Sequence, residues 1–335
     1  MNPISTFPKV ELHLHLDCSL SYEVVAKIDP SITLEIYQQD FIAPAKCNNL
    51  ADFLKRAVKG IALMQTKEQL QWVVEDLFKQ MQADNMLYAE LRFAPLLHLQ
   101  NGLTPYEVVA ATEAATAAAI KATGIEARLI LCTLRHYTEA QSMETVKLAE
   151  AFAGSCVAGF DIAADEAGFP ISNHIAAFSY AKEKGIPCTA HAGEAKGAES
   201  VWETLNYLGP KRIGHGVRSI EDDKLVAHLI RNNIHLEICP TCNVLIDIYD
   251  RYKDHPIDKL YKSGVSLSVN TDTRTITNIT LNKEYQQLQD VFGWTIHDFY
   301  KCNTYALQAA FIPAALTATL LEKLAKAYAN TGNSN

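Results

Sequence analysis

The fold the sequence predicts is α/β, a (β/α)8 barrel, and three observations predict it. Eight short apolar or alternating runs are spaced along the chain, each bounded by turn residues. Longer helix-period stretches lie between them, and strands separated by helices pair in parallel, because parallel neighbours need crossover connections. An open doubly wound sheet is the alternative, but no G-x-G-x-x-G follows the first run.

Taken in order, the first strand is expected at 9–15 (KVELHLH). The stretch 29–66 is longer than one crossover needs, so it is expected to place extra helices between strands 1 and 2, over the barrel mouth. Within 67–84, Leu70, Val73, Val74, Leu77 and Met81 share one face, the mark of a helix packed on a sheet. Strand 2 follows at 86–93, an alanine-rich helix near 109–122, and strand 3 at 127–134. The remaining strands are expected at 157–162, 187–191, 212–215, 234–239 and 265–270. No repeat and no Pro/Gly/Ser linker divides the chain, so 1–335 reads as one domain with a frayed polar tail at 330–335.

With 48% hydrophobic and 20% charged residues, the chain has an ordinary globular composition, which excludes a disordered or fibrous protein. Thirty basic residues against 38 acidic ones give a formal charge of −8, and no basic run carries interleaved aromatics. That balance repels phosphate backbones, so no nucleic-acid partner is expected. No run approaches ~18 uninterrupted apolar residues, so no membrane span is expected either. The start of the chain lacks a charged segment followed by an apolar one, and the eight cysteines stand mostly isolated in hydrophobic text. Both point to reduced thiols and a cytoplasmic location.

The chemistry concentrates at strand ends. His13 and His15 are two residues apart in a strand, so their imidazoles project from the same face. Alone, such a pair is as easily two packed histidines. Strand 5 ends at His191, strand 6 at His215, and strand 8 leads into Asp272. Barrel active sites gather at the C-terminal ends of strands, and metal-ligand side chains stand at four of them. Imidazoles plus a carboxylate, without thiolate, suit one zinc ion per chain. Such an ion lowers the pKa of a bound water from ~16 to ~7. The end of strand 4 (Gly159 to Glu166) has no lysine of the kind that bridges two metals, which favours a single ion. Glu194, three residues past His191, is either a proton shuttle or an ordinary acid at a helix start. His215 is either a fourth metal nitrogen or a group that orients the attacking water.

These residues sit in five motifs: Glu11-Leu-His-Leu-His-Leu-Asp17, Phe160-Asp-Ile-Ala-Ala-Asp-Glu166, Thr189-Ala-His-Ala-Gly-Glu194, Arg212-Ile-Gly-His-Gly216 and Val269-Asn-Thr-Asp272. In this order they resemble the bacterial adenosine deaminases of the amidohydrolase superfamily, from Pro8 to about residue 310. The resemblance implies zinc held by His13, His15, His191 and Asp272, with Glu194 protonating purine N1. It implies that His215 orients and helps deprotonate the attacking water, and that Asp17 binds the ribose 5′-hydroxyl. Leu50, Phe53 and Leu54 would line the site from a hydrophobic lid helix over 49–57. The implied reaction is hydrolytic: water adds at C6 of adenosine or 2′-deoxyadenosine, and ammonia leaves. Its partner is a small-molecule purine nucleoside.

Three positions depart from the pattern. Thr273 stands where the family has an aspartate bonding purine N7, and a hydroxyl still donates there. Ala164 replaces a glycine whose backbone N–H meets purine N3, and Cys18 replaces a glycine after Asp17. None removes a metal ligand or the proton donor. They make another 6-aminopurine the runner-up substrate: aminodeoxyfutalosine, an N6-substituted adenine or a 5′-modified adenosine. A catalytically silent zinc binder is the alternative of another class, and intact Glu194 and His215 speak against it. Cys239-Pro-Thr-Cys242 after His235 and Glu237 has the residue types of a different zinc-deaminase signature, but the spacing is far too short. His98, His136, His174, His228, His255 and His297 read as surface or packing residues.

Overall fold

The computed structural model describes residues 3–331. Eight strands appear where the periodicity puts them: β1 (Lys9–His15), β2 (Met86–Phe93), β3 (Glu126–Leu134), β4 (Val157–Ala163), β5 (Thr189–Ala192), β6 (Arg212–His215), β7 (His235–Ile238) and β8 (Leu267–Val269). They form two parallel arcs, β1-β2-β3-β4 and β5-β6-β7-β8. Bridges join the arcs at both seams, Phe160 with Cys188 and Leu14 with Asp272. At the second seam the His15 N–H donates to the Asp272 carbonyl (2.7 Å) and the Asp272 N–H to the His13 carbonyl (3.1 Å). The strands thus close into the expected barrel. β5 and β8 each start two residues later than expected, β5 past Pro187, which has no N–H to offer a ladder.

Several crossover helices start at side-chain caps. Thr66, Thr104 and Thr138 each accept a backbone N–H three residues on, and Gln69, Glu107 and Gln141 return the bond. Pro105 in the first turn moves the start of the alanine-rich helix forward, so it runs Pro105–Thr123. The expected 67–84 helix is Lys67–Ala83, with Leu70, Val73, Val74, Leu77 and Met81 all buried. The last helix, Ala314–Thr331, includes the first two residues of the expected tail; 332–335 lie outside the described residues.

The insertion after β1 begins earlier than expected and contains four short helices: α1 (Tyr22–Ile28), α2 (Leu34–Asp40), α3 (Leu50–Leu54) and α4 (Ala57–Ala62). α3 is started by Asn49, whose side chain accepts the Asp52 N–H. Its Leu50 and Phe53 enter an apolar cluster with Cys18, Cys47, Ala57, Cys239, Cys242, Ile246 and Ile276, which fastens the insertion to the strand-end loops. Inside the barrel the layer below the strand ends is ionic instead of aliphatic. Arg92 and Arg212 are fully buried there among Glu90, Asp161 and Glu237.

Candidate active site

The histidines of β1 and the ends of β5, β6 and β8 meet at one point. His13 Nε2 lies 3.2 Å and His15 Nε2 3.4 Å from Asp272 Oδ1. The Nε2 atoms of His15 and His191 face each other at 3.3 Å. His13, His191, His215 and Asp272 offer ligand atoms all within 4.8 Å of one another, and all four are buried. The rings crowd so closely that a Cβ on Gly214 would stand 3.0 Å from His13 Cε1, which accounts for glycine beside His215 in β6.

The far side of two rings is held by buried carboxylates. Glu237 Oε2 lies 3.0 Å from His13 Nδ1, and Asp161 Oδ2 lies 3.1 Å from His191 Nδ1. A single guanidinium spans both carboxylates: Arg92 bonds Asp161 at 2.8 Å and Glu237 at 2.6 Å. Arg212 and the Thr189 hydroxyl take the other oxygen of Glu237 at 2.7 and 2.8 Å. With Nδ1–H given to a carboxylate, each ring turns the Nε2 lone pair toward the centre, the form a metal ligand needs. Burial, and after it nearby cations, push His13 and His15 well below the usual histidine range, so both are neutral.

The donor set fits a divalent ion. His13 Nε2 is buried without a hydrogen-bond partner, and the facing nitrogens of His15 and His191 stand beside a carboxylate oxygen. Nitrogen and oxygen donors without thiolate are the mark of a borderline metal. Asp272 is held in place from β1. Glu11 accepts the Thr271 N–H and hydroxyl (2.6 and 2.5 Å) and pairs with Arg274 (2.9 Å), while Asn270 Oδ1 accepts the N–H groups of Leu12 and His13.

Glu194 sits beside this centre, 3% exposed, with Oε1 3.3 Å from His215 Nε2. Burial, then the neighbouring carboxylates of Asp272 and Glu166, push its carboxyl well above the usual range. Both influences favour the protonated form, the form that can donate. Glu166 clamps its loop, accepting the N–H groups of Gly193 (2.8 Å), Glu194 (3.0 Å) and Lys196 (2.9 Å) and the Ser200 hydroxyl (2.5 Å). Backbone strain concentrates at the same strand ends. His215, Asp272 and Ala164 have φ of 60°, 65° and 76°, the left-handed region side chains avoid.

Two cavities open from the centre on either side of α3. One of about 410 Å3 is lined by His15, Asp17, Cys18, Leu54, Val58 and Ala164, among others. The other, about 670 Å3, is lined by Leu50, Asp165, Glu194 and Arg218, among others. Burial pushes Asp17 up to about 6, and its Oδ2 accepts the Ala94 N–H at 3.2 Å. The expectation that Phe53 lines the site is corrected: it is 1% exposed and lines neither cavity, because its ring anchors α3 in the apolar cluster. Thr273 is buried next to Asp272, and its hydroxyl has no hydrogen-bond partner. The sequence alone does not single out the roles of Arg92 and Glu237; their signal is only a polar side chain on an inward strand face.

An eight-stranded barrel with imidazole and carboxylate donors at its strand ends defines a metal-dependent hydrolase of the amidohydrolase type. The adenosine deaminase family profile matches residues 8–327, and the chain belongs to that family. An adenosine deaminase of Clostridium acetobutylicum is 34% identical over 96% of this chain and 98% of its own length. One from Streptococcus mutans is 32% identical over 98% and 96%. Among solved structures, an adenine deaminase from Arthrobacter aurescens superposes with a TM-score of 0.87 at 25% identity, covering 95% of this chain and 98% of its own. An amidohydrolase from Burkholderia ambifaria with bound Zn shares the fold, with a TM-score of 0.89 at 22% identity over 99% and 93% of the two chains.

Proposed function

We propose that this protein hydrolyses adenosine and 2′-deoxyadenosine to the corresponding inosine and ammonia, using one zinc ion per chain. The observation that carries the reading is Glu194, buried at the edge of the histidine–aspartate centre with Oε1 3.3 Å from His215 Nε2 and its carboxyl pushed up by burial. A metal-binding module has no use for such an acid, whereas deamination needs a proton at purine N1 before water adds to C6. His13, His15, His191 and Asp272 are the residues that would hold the ion. Bound there, zinc would supply a water acidic enough to act as a nucleophile at neutral pH.

The protein's own groups do the rest. Glu194 gives its proton to N1, and electron density withdrawn toward N1 opens C6 to attack. His215 orients the attacking water. Asp17 accepts the ribose hydroxyl, the Ala164 N–H meets N3, and the Thr273 hydroxyl is the donor available to N7. Leu50 and Leu54 present α3 over the opening and keep bulk water from the polarised ring. The relatives' names, adenosine deaminase at 32–34% identity over nearly the whole chain, support this substrate. The partner is thus a small purine nucleoside. No helix among the described residues is long and apolar enough to cross a membrane. The eight cysteines are all free, which supports a reducing, cytoplasmic setting.

The test is loss of the adenine chromophore on zinc-loaded protein with adenosine, 2′-deoxyadenosine, adenine, N6-methyladenosine, 5′-methylthioadenosine and aminodeoxyfutalosine. Adenosine and 2′-deoxyadenosine are expected to turn over fastest; activity confined to another member would move the substrate. Glu194→Gln should keep its zinc and lose about 10²–10⁴ in kcat. Near-normal turnover in that variant would take Glu194 out of the mechanism.

A further inference from the structure

His215 has two ring nitrogens, and which one carries the proton decides what it does. Its surroundings settle this through a chain of hydrogen bonds that begins at an unambiguous donor. The backbone N–H of Ile257 points at His255 Nδ1 (3.1 Å), so that nitrogen is an acceptor. His255 is 2% exposed, and burial pushes its pKa down to about 3, so the ring is neutral and its proton sits on Nε2. His255 Nε2 therefore donates to Asn243 Oδ1 (3.2 Å). That leaves the Asn243 amide NH2 facing His215 Nδ1 at 3.1 Å, where it donates. Turning the amide over would set its NH2 against the His255 N–H, two donors in contact, so the orientation is determined.

We propose that Asn243 and His255 are positioning residues which hold His215 as the tautomer protonated on Nε2, a hydrogen-bond donor outside the metal shell. A nitrogen that carries a proton has no lone pair for a metal, so His13, His15, His191 and Asp272 are left as the four donors. The proton so placed faces the acid: His215 Nε2 lies 3.3 Å from Glu194 Oε1. Two buried side chains from separate segments, Asn243 and His255, thus set which nitrogen His215 turns toward Glu194 and the centre. The part that concerns Glu194 and substrate rests on the deaminase reading above; the tautomer itself does not.

The experiment is nitrogen NMR of the zinc-loaded protein with 15N-labelled histidine, the His215 signals being assigned by their loss in His215→Gln. Wild type should show His215 and His255 both protonated on Nε2 and unprotonated on Nδ1. A proton on His215 Nδ1 would overturn the proposal. In Asn243→Asp the carboxylate accepts from both rings, so a proton should appear on His215 Nδ1. That variant should lose about 10–100-fold in kcat, with KM and zinc content close to wild type. An Nδ1 proton with full turnover would equally overturn it, since a merely structural Asn243 moves stability and leaves kcat alone. If Asn243→Asp does not fold, the wild-type spectrum decides alone. A wild type that shows the Nε2 tautomer yet deaminates no 6-aminopurine would sink the deaminase reading and leave the relay standing.

Discussion

Ala164 shows how much one side chain can cost a site. Its φ of 76° is a conformation that an L-residue adopts only under constraint, and it lines the 410 Å3 cavity beside Asp17. Ala164→Gly should raise stability by about 0.5–1 kcal/mol, read as a higher urea midpoint at unchanged slope. A lower midpoint would show that the methyl group's packing outweighs its strain. At this scale the site was legible where chemistry is rare. Histidines two apart in one strand and His191 at a strand end stand out because few structural roles need them there. Arg92, Asn243 and Glu237 were not legible. Buried polar groups of this kind earn their place through partners distant in sequence, as Arg92 does with Asp161 and Glu237. His255 was assigned to packing for the same reason: its partner Asn243 lies twelve residues away, and no motif links them.

Among the elements, the turn after β5 is the one most dependent on a single group. Glu166 takes three backbone N–H groups and a hydroxyl from this segment, and so holds Glu194 against the centre. In Glu166→Gln one oxygen becomes an NH2 facing N–H donors, leaving buried groups unpaired. About 1–3 kcal/mol of stability should go, with kcat reduced while zinc stays bound. Urea unfolding together with metal analysis checks both halves, and unchanged kcat would mean that the turn holds its shape without the clamp. α3 teaches a different lesson. Its apolar residues were visible in the sequence, but which of them faces ligand depends on the angle at which a five-residue helix lies on the mouth. That angle is set by contacts with Cys47, Cys239 and Ile246, so Leu50 and Leu54 reach the cavities and Phe53 does not.

For the whole molecule, the strand count and order were readable because a parallel barrel repeats one simple unit eight times, with several of the helices announced by a cap. The ionic layer inside was not, since inward positions of barrel strands are usually aliphatic. The metal should contribute to global stability as any ligand of the native state does. An ion present at about a thousand times its Kd adds about 4 kcal/mol. Chelation should therefore lower the thermal midpoint on the order of 10 °C, an effect scanning calorimetry would detect; a midpoint indifferent to chelator would exclude a folding-coupled ion at this centre. The seam between β8 and β1 gives that number a shape. His13 and His15 belong to the first arc, whereas His191 and Asp272 belong to the second, and the last pairs across the seam with the backbone of the β1 histidines. An ion at this point acts as a clasp on a hoop whose two halves each bring half the fastening. The first half, synthesised alone, has only two donors and no acid. Metal loading thereby becomes a reading of completeness: it succeeds only once the entire chain has been made and the ring has shut.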